Sequence, residues 1–541
     1  MGCGISLSYL LVGGNMSRRL KRLPLLLAAV VMGAAQIAQA AIIDLGGSTQ
    51  SISNLDTAQY GGVPFAGNTV VNGILDVSGL QTFGNNTYTF GAGLVLNQGS
   101  SRWTISGGRQ VHVVNGCVVN LNTDDTINYF GRCWMSNGWN SWGNQTKLIL
   151  NNGTFNCASH LHFSPIANAN TDSRNIELYL LMTNGSSLTL GAGKELKFGV
   201  MDQADGKKHI TEKITVAVTN STISAGKIHF GSYNNYMTSQ WNGFINVSFG
   251  PGADITCRQF YPYRYPKSTI VFDGATVRTA STSTVDPNFF GLNLDAASAK
   301  AFDGYQLRSG GLTFDVTVGF THGTLFAPLF GPGGFTKTGS GSLTYNCDAF
   351  MFTGPLTVSN GTFISTQKMA ASAFNVDGAS SVLQLSGALT NATVSLSATA
   401  GGTLTLAGAT ISDTSPDLTL AGGGTTDYFT RDGVVGAYML DSLTLGPGAV
   451  VDIDADATAT DAINATTTSV TATAESKATI NINFTDEPAR GTTFPLFETD
   501  SADKFTVVPK LGSRILRHKE SVVAGRLVLT VNPIGLVIMV M

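Results

Sequence analysis

The chain has 541 residues, of which 43% are hydrophobic and only 12% are charged. An average soluble domain carries about a quarter charged residues, so the composition disfavours long surface helices built from Glu, Lys and Arg. Lys and Arg number 32 against 35 Asp and Glu, which excludes a strongly basic surface for nucleic acid or anionic membrane. We identify no cofactor motif, and we expect no nucleic-acid partner and no membrane span in the mature chain.

Residues 1–40 are predicted to be an N-terminal extension followed by a secretory signal peptide. Four basic residues between Arg18 and Arg22 precede an apolar stretch from Leu23 to Ala35. The small-x-small sequence Ala38-Gln39-Ala40 is typical of a cleavage site. A buried or transmembrane helix is the alternative, but the stretch is short for a membrane span. We therefore expect an exported protein, located outside the cell or on its surface.

From Ala41 onward the sequence is a succession of short alternating strands separated by Gly and Asn, which predicts an all-β fold. A motif of Asn or Asp, a small residue, and Ser or Thr recurs before many strands. We expect a left-handed Asn or Gly there to turn each corner of a right-handed parallel β-helix, or β-solenoid. Two β-sandwiches in tandem are the alternative. The motif begins at Asn152, Asn184, Asn220, Asp273, Asn360, Asp377 and Asn391.

Residues 331–363 resemble the autotransporter-associated β-strand repeat. That repeat has a Gly-rich lead, Lys-x-Gly-x-Gly-x-Leu-x-Leu, Tyr-x-Gly, and a Thr-Val strand ending in Gly-Thr-Leu. Tyr345, Phe352 and Phe363 replace the second Leu, the Tyr and the final Leu of the pattern, and Phe350 stands where the family often has Asn. The matching positions are Lys337, Gly339, Gly341, Leu343, Gly354, Thr357, Val358, Gly361 and Thr362.

The resemblance implies a parallel β-helix passenger on a secreted or cell-surface protein, of the kind found in Gram-negative bacteria. The family has no catalytic residues to transfer. We divide the chain into β-helix coils at 41–325, a β-helix with the repeat at 326–440, and an Ala/Thr-rich capping region of β-strands at 441–541. This last region is too short for the membrane barrel of about 250 residues that an autotransporter would carry.

Aromatic residues cluster in two Gly- and Asn-rich stretches. Rings stack on the C–H faces of sugars while Asn, Ser and Arg satisfy the hydroxyls, so these stretches predict a glycan-binding surface. The alternative is that the rings plug one end of a coil or pack under a loop. The candidate contacts are Trp134, Trp139, Trp142, Arg132, Tyr261 and Tyr263.

Cysteines and histidines offer two further patterns. In an oxidising compartment a disulfide among Cys117, Cys133 and Cys157 is an option, although none stands in a C-x-x-C pair. His160 and His162 lie on one face of a strand, as a metal pair requires. Without a carboxylate or third histidine placed beside them, surface histidines are the simpler interpretation.

Acidic residues raise the alternative of a polysaccharide-degrading enzyme. Asp124 and Asp125 resemble the acidic cluster of pectin-cleaving β-helix hydrolases, but no Gly-His-Gly accompanies them. Asp202 and Asp205 beside Lys207 could instead serve a lyase. Solvated loop residues are the favoured interpretation of the first pair, and a polar loop tip explains the second group as well. The run of Asp452, Asp454 and Asp456 is interpreted as a solvated face.

The leading hypothesis is therefore a non-enzymatic β-helix with a structural or adhesive role. Its partner would be polysaccharide or other cell-surface material. A sheet face with convergent acidic and basic groups would favour the enzyme, whereas a face lined with Thr, Ser and Asn would favour the structural protein.

Overall fold

The computed structural model describes 22 ranges of the chain, and every regular element in them is a strand. No helix within this part of the chain has the length and apolar character needed to cross a membrane. The described ranges are 41–79, 81–83, 86–99, 103–105, 110–122, 127–129, 145–163, 176–199, 212–231, 244–262, 267–280, 302–317, 323–325, 328–345, 351–365, 369–385, 395–399, 403–406, 417–421, 425–427, 437–460 and 462–532.

Sheet 1 contains 12 strands, each parallel to the next. Its strands are β1 (Ile42–Asp44), β5 (Thr69–Val71), β8 (Thr87–Phe90), β11 (Gln110–Asn115), β14 (Gln145–Asn151), β17 (Ile176–Thr183), β20 (Glu212–Val218), β23 (Phe244–Phe249), β26 (Lys267–Phe272), β28 (Phe302–Leu307), β31 (Leu329–Gly331) and β34 (Met351–Phe352).

Sheet 2 is the longest and is also parallel throughout. Its strands are β2 (Thr49–Ile52), β6 (Gly73–Val77), β9 (Leu94–Gln98), β12 (Val118–Leu121), β15 (Thr154–Cys157), β18 (Ser187–Leu190), β21 (Ser221–Ser224), β24 (Ala253–Cys257), β27 (Ala275–Thr279), β29 (Leu312–Asp315), β32 (Phe335–Thr338), β35 (Leu356–Val358), β37 (Ala373–Asp377), β39 (Ser395–Thr399), β41 (Asp417–Ala421), β43 (Ala437–Leu445) and β45 (Ala462–Val470).

Two shorter sheets form the third side of the molecule. Sheet 3 consists of β7 (Gln81–Phe83), β10 (Trp103–Ile105), β13 (Ile127–Tyr129), β16 (Leu161–Phe163), β19 (Glu195–Phe198), β22 (Lys227–Phe230) and β25 (Gln259–Pro262). Sheet 4 consists of β30 (Gly323–Leu325), β33 (Ser342–Tyr345), β36 (Gly361–Ser365), β38 (Ser381–Leu385), β40 (Thr403–Leu406), β42 (Thr425–Asp427), β44 (Val450–Ala455), β46 (Ala478–Phe484), β48 (Phe505–Leu511) and β49 (Arg514–Ile515).

Antiparallel pairs occur near the two ends of the described chain. Strand β48 pairs antiparallel with β49, and a separate sheet joins three antiparallel strands. The remaining strands are β3 (Gln59–Tyr60) and β4 (Val63–Pro64), which form a hairpin, and β47 (Thr493–Glu498), β50 (His518–Val523) and β51 (Arg526–Val531), which form the separate sheet.

Chain order and strand pairing together define a parallel β-solenoid, as the sequence predicted. From β5 to β25 each coil passes once through sheets 1, 2 and 3, and each strand before β25 pairs with its counterpart in the following coil. Beyond β36 the described coils use only sheets 2 and 4. Each coil therefore buries its apolar side chains against its own opposite walls and against the coils before and after it.

The core is built from in-register apolar columns, because alternate residues of each strand point inward. In sheet 3, Phe163, Phe198 and Phe230 stack with ring centroids 5.2 and 5.4 Å apart. All three side chains are fully buried. Such offset aromatic pairs add to the stabilisation from buried area alone, so this column gives sheet 3 a rigid inner wall.

The expected left-handed corners are present. Asn152, Asn184 and Asn220 have φ values of 50°, 56° and 44°. At the motif that begins with Asn360, the following residue, Gly361, takes the positive φ of 71° instead. Asn and Gly tolerate this region at the lowest steric cost, so the recurring motif does mark the sharp turns between faces.

An outward column of amides runs across four coils of sheet 2. Asn97 Nδ2 donates to Asp76 Oδ1, Asn120 Nδ2 to Asn97 Oδ1, and Asn156 Nδ2 to Asn120 Oδ1, each at 2.9 Å. The strand register places these residues directly beside one another. In the next coil the same position is Thr189.

The lysine of the repeat-like segment lies in the core rather than on the surface. Lys337 continues the inward column after Phe314 and is completely buried. Its ammonium donates to the backbone carbonyls of Thr338 at 3.1 Å, Asn360 at 2.8 Å, and Gly339. A Cβ on Gly361 would lie 2.5 Å from Lys337 Nζ. The lysine and this glycine of the motif therefore depend on each other.

Three cysteines in the described chain, Cys117, Cys157 and Cys257, are buried free thiols. A disulfide between Cys117 and Cys157 is thus not formed, and Cys133 lies outside the described residues. Burial raises the pKa of the Cys157 thiol to about 11, against smaller opposing effects of its hydrogen bond to Ser159 and of Lys194. These thiols serve as small apolar core residues.

Candidate functional site

Sheet 3 carries a cluster of ionisable side chains on its outer face. Strand β19 lies between β16 and β22, and alternation turns its Leu196 and Phe198 inward and its Glu195 and Lys197 outward. The register places His162 beside Lys197, and Lys197 beside His229. Three consecutive coils therefore contribute imidazole, carboxylate and ammonium groups to one small area.

Glu195 is the centre of this cluster. Its Oε1 contacts Nδ1 of His229, and its Oε2 lies 4.0 Å from Nε2 of His162. Its backbone N–H donates to Nδ1 of His160 at 3.1 Å. The rings of His160 and His162 meet edge to face, with centroids 5.8 Å apart. One carboxylate is thus surrounded by three histidines.

The cluster is buried to different depths. His162, Lys197 and His229 expose only 4%, 7% and 2% of their surface, whereas His160 and Glu195 are half-buried. An ion requires contact with only a few ligand atoms, but a polymer must reach the acid and base that act on it. The burial therefore suits a small ligand and disfavours direct attack on a polysaccharide.

The protonation states suit ligands to a metal. Burial lowers the pKa of His162 to about 4, although the Glu195 charge opposes this effect. Burial also lowers the pKa of His229, with Glu195 again opposing, and that of His160, which Lys194 lowers further. All three imidazoles are consequently neutral at pH 7, which is the form that binds metals.

Glu195 is an anion throughout the ordinary pH range. Burial alone would raise its pKa, but the hydrogen bond and charge of His229, together with His162 and Lys197, outweigh this effect. They hold the pKa of Glu195 at about 2. The carboxylate is therefore the one fixed negative charge that the described residues place in this cluster.

The ligand atoms of His160, His162 and Glu195 all lie within 4.8 Å of one another. Two imidazoles and one carboxylate are a known ligand set for Zn²⁺ with an open coordination position. The two histidines were singled out in the sequence, but the carboxylate was not. Glu195 lies 35 residues after His160, so only the coil register brings it close. The interpretation of both histidines as surface residues is wrong for His162.

The predicted glycan contacts are largely outside the described residues. Trp134, Trp139, Trp142, Arg132 and Tyr263 fall outside them. The backbone of Tyr261 is described, on β25 and in register with His229. The glycan-binding surface therefore remains a prediction, and its one described residue lies on the coil next to the ionisable cluster.

The acidic patterns have mixed outcomes. The two pairs at residues 124–125 and 202–205, with Lys207, also lie outside the described residues. Asp452, Asp454 and Asp456 were interpreted as one solvated face. This interpretation is wrong for Asp454, which is only 3% exposed. Asp456 does lie in a turn, where its side chain accepts hydrogen bonds from the backbone N–H groups of Thr458 and Ala459.

No protein-family model and no curated protein matches this chain.

Proposed function

We propose that this protein is an exported β-solenoid with a structural or adhesive role at the cell surface, where it contacts glycans. The observation that carries the proposal is the hydrogen-bonded amide column of sheet 2, from Asp76 to Asn156. Short polar side chains linked across coils, here three amides and the carboxylate of Asp76, stiffen a scaffold, because each hydrogen bond ties one coil to the next. The same groups give this part of the wall an amide- and hydroxyl-rich outer face, which continues at Thr189, Ser224 and Thr256 and ends at the charged Arg278.

The N-terminal sequence supports export, and the repeat-like segment around Lys337 supports a passenger-type architecture. The alternative is a polysaccharide-degrading β-helix enzyme. Within the described residues, acidic and basic groups converge at two places. On sheet 2, Arg278 is paired with the carboxylates of Asp254 and Asp315. The other groups are those around Glu195. Their burial argues against contact with a polymer, so we favour the scaffold.

Glycan binding is tested with the full chain and a panel of soluble polysaccharides by tryptophan fluorescence and affinity electrophoresis. Replacing Trp139 with Ala should weaken binding by roughly 1–3 kcal/mol, by analogy with stacking of bases on aromatic rings. Trp241→Ala is the matched control, since Trp241 lies outside the aromatic cluster in the sequence. Equal losses in both variants, or no binding by the unmodified chain, would contradict the glycan-binding role.

Export and catalysis are tested separately. Secreted material should begin at Ala41 or within a few residues of it, as determined by N-terminal sequencing. Release of reducing ends or of unsaturated sugar products from any polysaccharide in the panel would overturn the non-enzymatic assignment.

A further inference from the structure

We propose that His160, His162 and Glu195 bind one transition-metal dication, with Zn²⁺ the preferred ion, on the outer face of sheet 3. The proposal rests on geometry: His162 lies on β16, His160 immediately precedes that strand, and the carboxylate of Glu195 lies on the adjacent strand of the next coil. This site is independent of the proposed scaffold and glycan-binding role.

The ligand atoms need only small movements to close on an ion. Zn²⁺ binds His nitrogen at about 2.0–2.1 Å and carboxylate oxygen at about 2.0–2.2 Å. Tetrahedral ligands at those lengths lie about 3.4 Å apart, compared with the 4.8 Å within which these atoms already lie. His160 is half-buried, so its ring has space to rotate towards His162.

The surrounding structure already orients the carboxylate. His229 occupies Oε1 of Glu195, while Oε2 is the oxygen that faces His162. In metal sites, a carboxylate ligand is typically hydrogen-bonded through its other oxygen to a supporting residue, and His229 occupies that position here. Beneath it, the Phe163, Phe198 and Phe230 stack fixes the three strands from the inside.

Two features of the cluster oppose metal binding. The backbone N–H of Glu195 donates to Nδ1 of His160, and this bond is lost when that imidazole turns or changes tautomer to ligate. Lys194, Lys197 and Lys227 add positive charge near the cluster.

The ligand types determine which metal ions bind. Ca²⁺ and Mg²⁺ require several oxygen ligands, whereas imidazole favours Zn²⁺, Cu²⁺ and Ni²⁺. We therefore expect no measurable Ca²⁺ or Mg²⁺ binding at this site.

The first test uses the unmodified full chain, without a polyhistidine tag. Calorimetric titration with ZnCl₂ should show one saturable site that a chelator empties, and Zn²⁺ should raise the melting temperature. Co²⁺ substituted for Zn²⁺ should give the visible absorption of a tetrahedral nitrogen–oxygen site. Absence of both saturable Zn²⁺ binding and the Co²⁺ band would overturn the proposal.

Variants then locate the ion. His160→Gln, His162→Gln and Glu195→Gln should each weaken Zn²⁺ binding by about 10-fold or more, and His229→Gln by about 10–100-fold. The matched control is His518→Gln, because His518 Nε2 lies 3.1 Å from Glu520 Oε1 in a pair to which the described part of the chain adds no third ligand. This control should bind Zn²⁺ like the unmodified chain.

Circular dichroism of each metal-free variant checks that it folds. His160→Gln is the decisive variant, since its half-buried position makes it the least disruptive of the three ligand changes. Unchanged Zn²⁺ affinity in a folded His160→Gln protein would overturn the site, as would an equal loss in His518→Gln. Neither result bears on glycan binding, which is measured on metal-free protein.

Discussion

The side-chain amide of Asn156 donates a 2.9 Å hydrogen bond to the side-chain oxygen of Asn120 one coil earlier. Asn120 in turn donates to Asn97 at the same distance. Each central amide is therefore both donor and acceptor, and the chain of bonds follows the direction in which the coils stack. Since these groups are partly buried, each bond is shielded from competing water and is worth more than one on an open surface.

Asn120→Ala should lower the free energy of unfolding by about 1–3 kcal/mol, because it breaks two hydrogen bonds and leaves a neighbouring amide without its partner. Asn246→Ala is the control: Asn246 is exposed on β23, and its replacement should cost less than about 0.5 kcal/mol. Chemical denaturation followed by circular dichroism measures both. If Asn120→Ala and Asn246→Ala lower the free energy of unfolding by the same amount, the amide column does not stabilise the fold more than an ordinary surface residue does.

Lys337→Met should also destabilise the fold, although it removes a buried charge. Burial lowers the pKa of Lys337 to about 8, with Asp315 opposing, and a shift of this size corresponds to a cost of roughly 3 kcal/mol. Hydrogen bonds from a charged donor contribute about 1.5–3 kcal/mol each, and Lys337 makes three. The three bonds together contribute about 4.5–9 kcal/mol, which exceeds the desolvation cost, so we expect Lys337→Met to lower the free energy of unfolding by about 1.5–6 kcal/mol.

The control for this change is Lys477→Met, at an exposed position. Thermal and denaturant unfolding of both variants should show a large loss at residue 337 and almost none at residue 477. A more stable Lys337→Met protein would mean that the desolvation cost exceeds the three bonds.

Stability should fall on acidification, and His112 is one cause. It occupies an inward position of sheet 1, in register with Tyr88 and Leu148, and burial lowers its pKa from 6.5 to about 3. The unfolded chain therefore takes up a proton between these values and the folded chain does not. The contribution of His112 to the free energy of unfolding is therefore complete above pH 6.5, and it is lost progressively as the pH falls towards 3.

His112→Leu should accordingly reduce the dependence of unfolding free energy on pH between 6.5 and 4. A residual slope of the same sign remains, since the pKa of His162 is lowered as well. Denaturation midpoints measured across this range, with His518→Gln as the control, test the prediction. An unchanged slope in the Leu variant would show that His112 does not contribute.

The corner at Asn220 should distinguish Asn and Gly from branched residues. Asn220 has a φ of 44°, where a branched side chain costs roughly 1–2 kcal/mol or more, whereas Gly is tolerated. Asn220→Val should thus lower the melting temperature and Asn220→Gly should leave it nearly unchanged. Asn246→Val, in an extended strand, is the matched control and should be neutral or slightly stabilising. A neutral Asn220→Val would mean that the corner adapts to the side chain.

The sequence carried enough information for the strands, the corners and the solenoid, since these depend on alternation and on Asn or Gly at local positions. It also identified Lys337 and Gly361 as members of one motif, but not that the lysine points inward. Polarity alone places a lysine outside. Only the three carbonyls that converge on its ammonium explain the exception.

Glu195 could not be predicted as a partner of His160 and His162. The coils differ in length, so a residue's neighbour in the next coil cannot be found by counting. Nothing in the local sequence at Asp454 signals its burial either.

Stacked parallel coils also determine how the molecule responds to force. The ladder hydrogen bonds lie across the strands and hence along the stacking direction. A pull on a chain end concentrates force on the ladder bonds of the terminal coil, which would peel away before the coil beneath it. A pull applied across the walls loads many bonds at once. The molecule should therefore unravel coil by coil when it is pulled by a chain end, and resist a load that is applied across its walls.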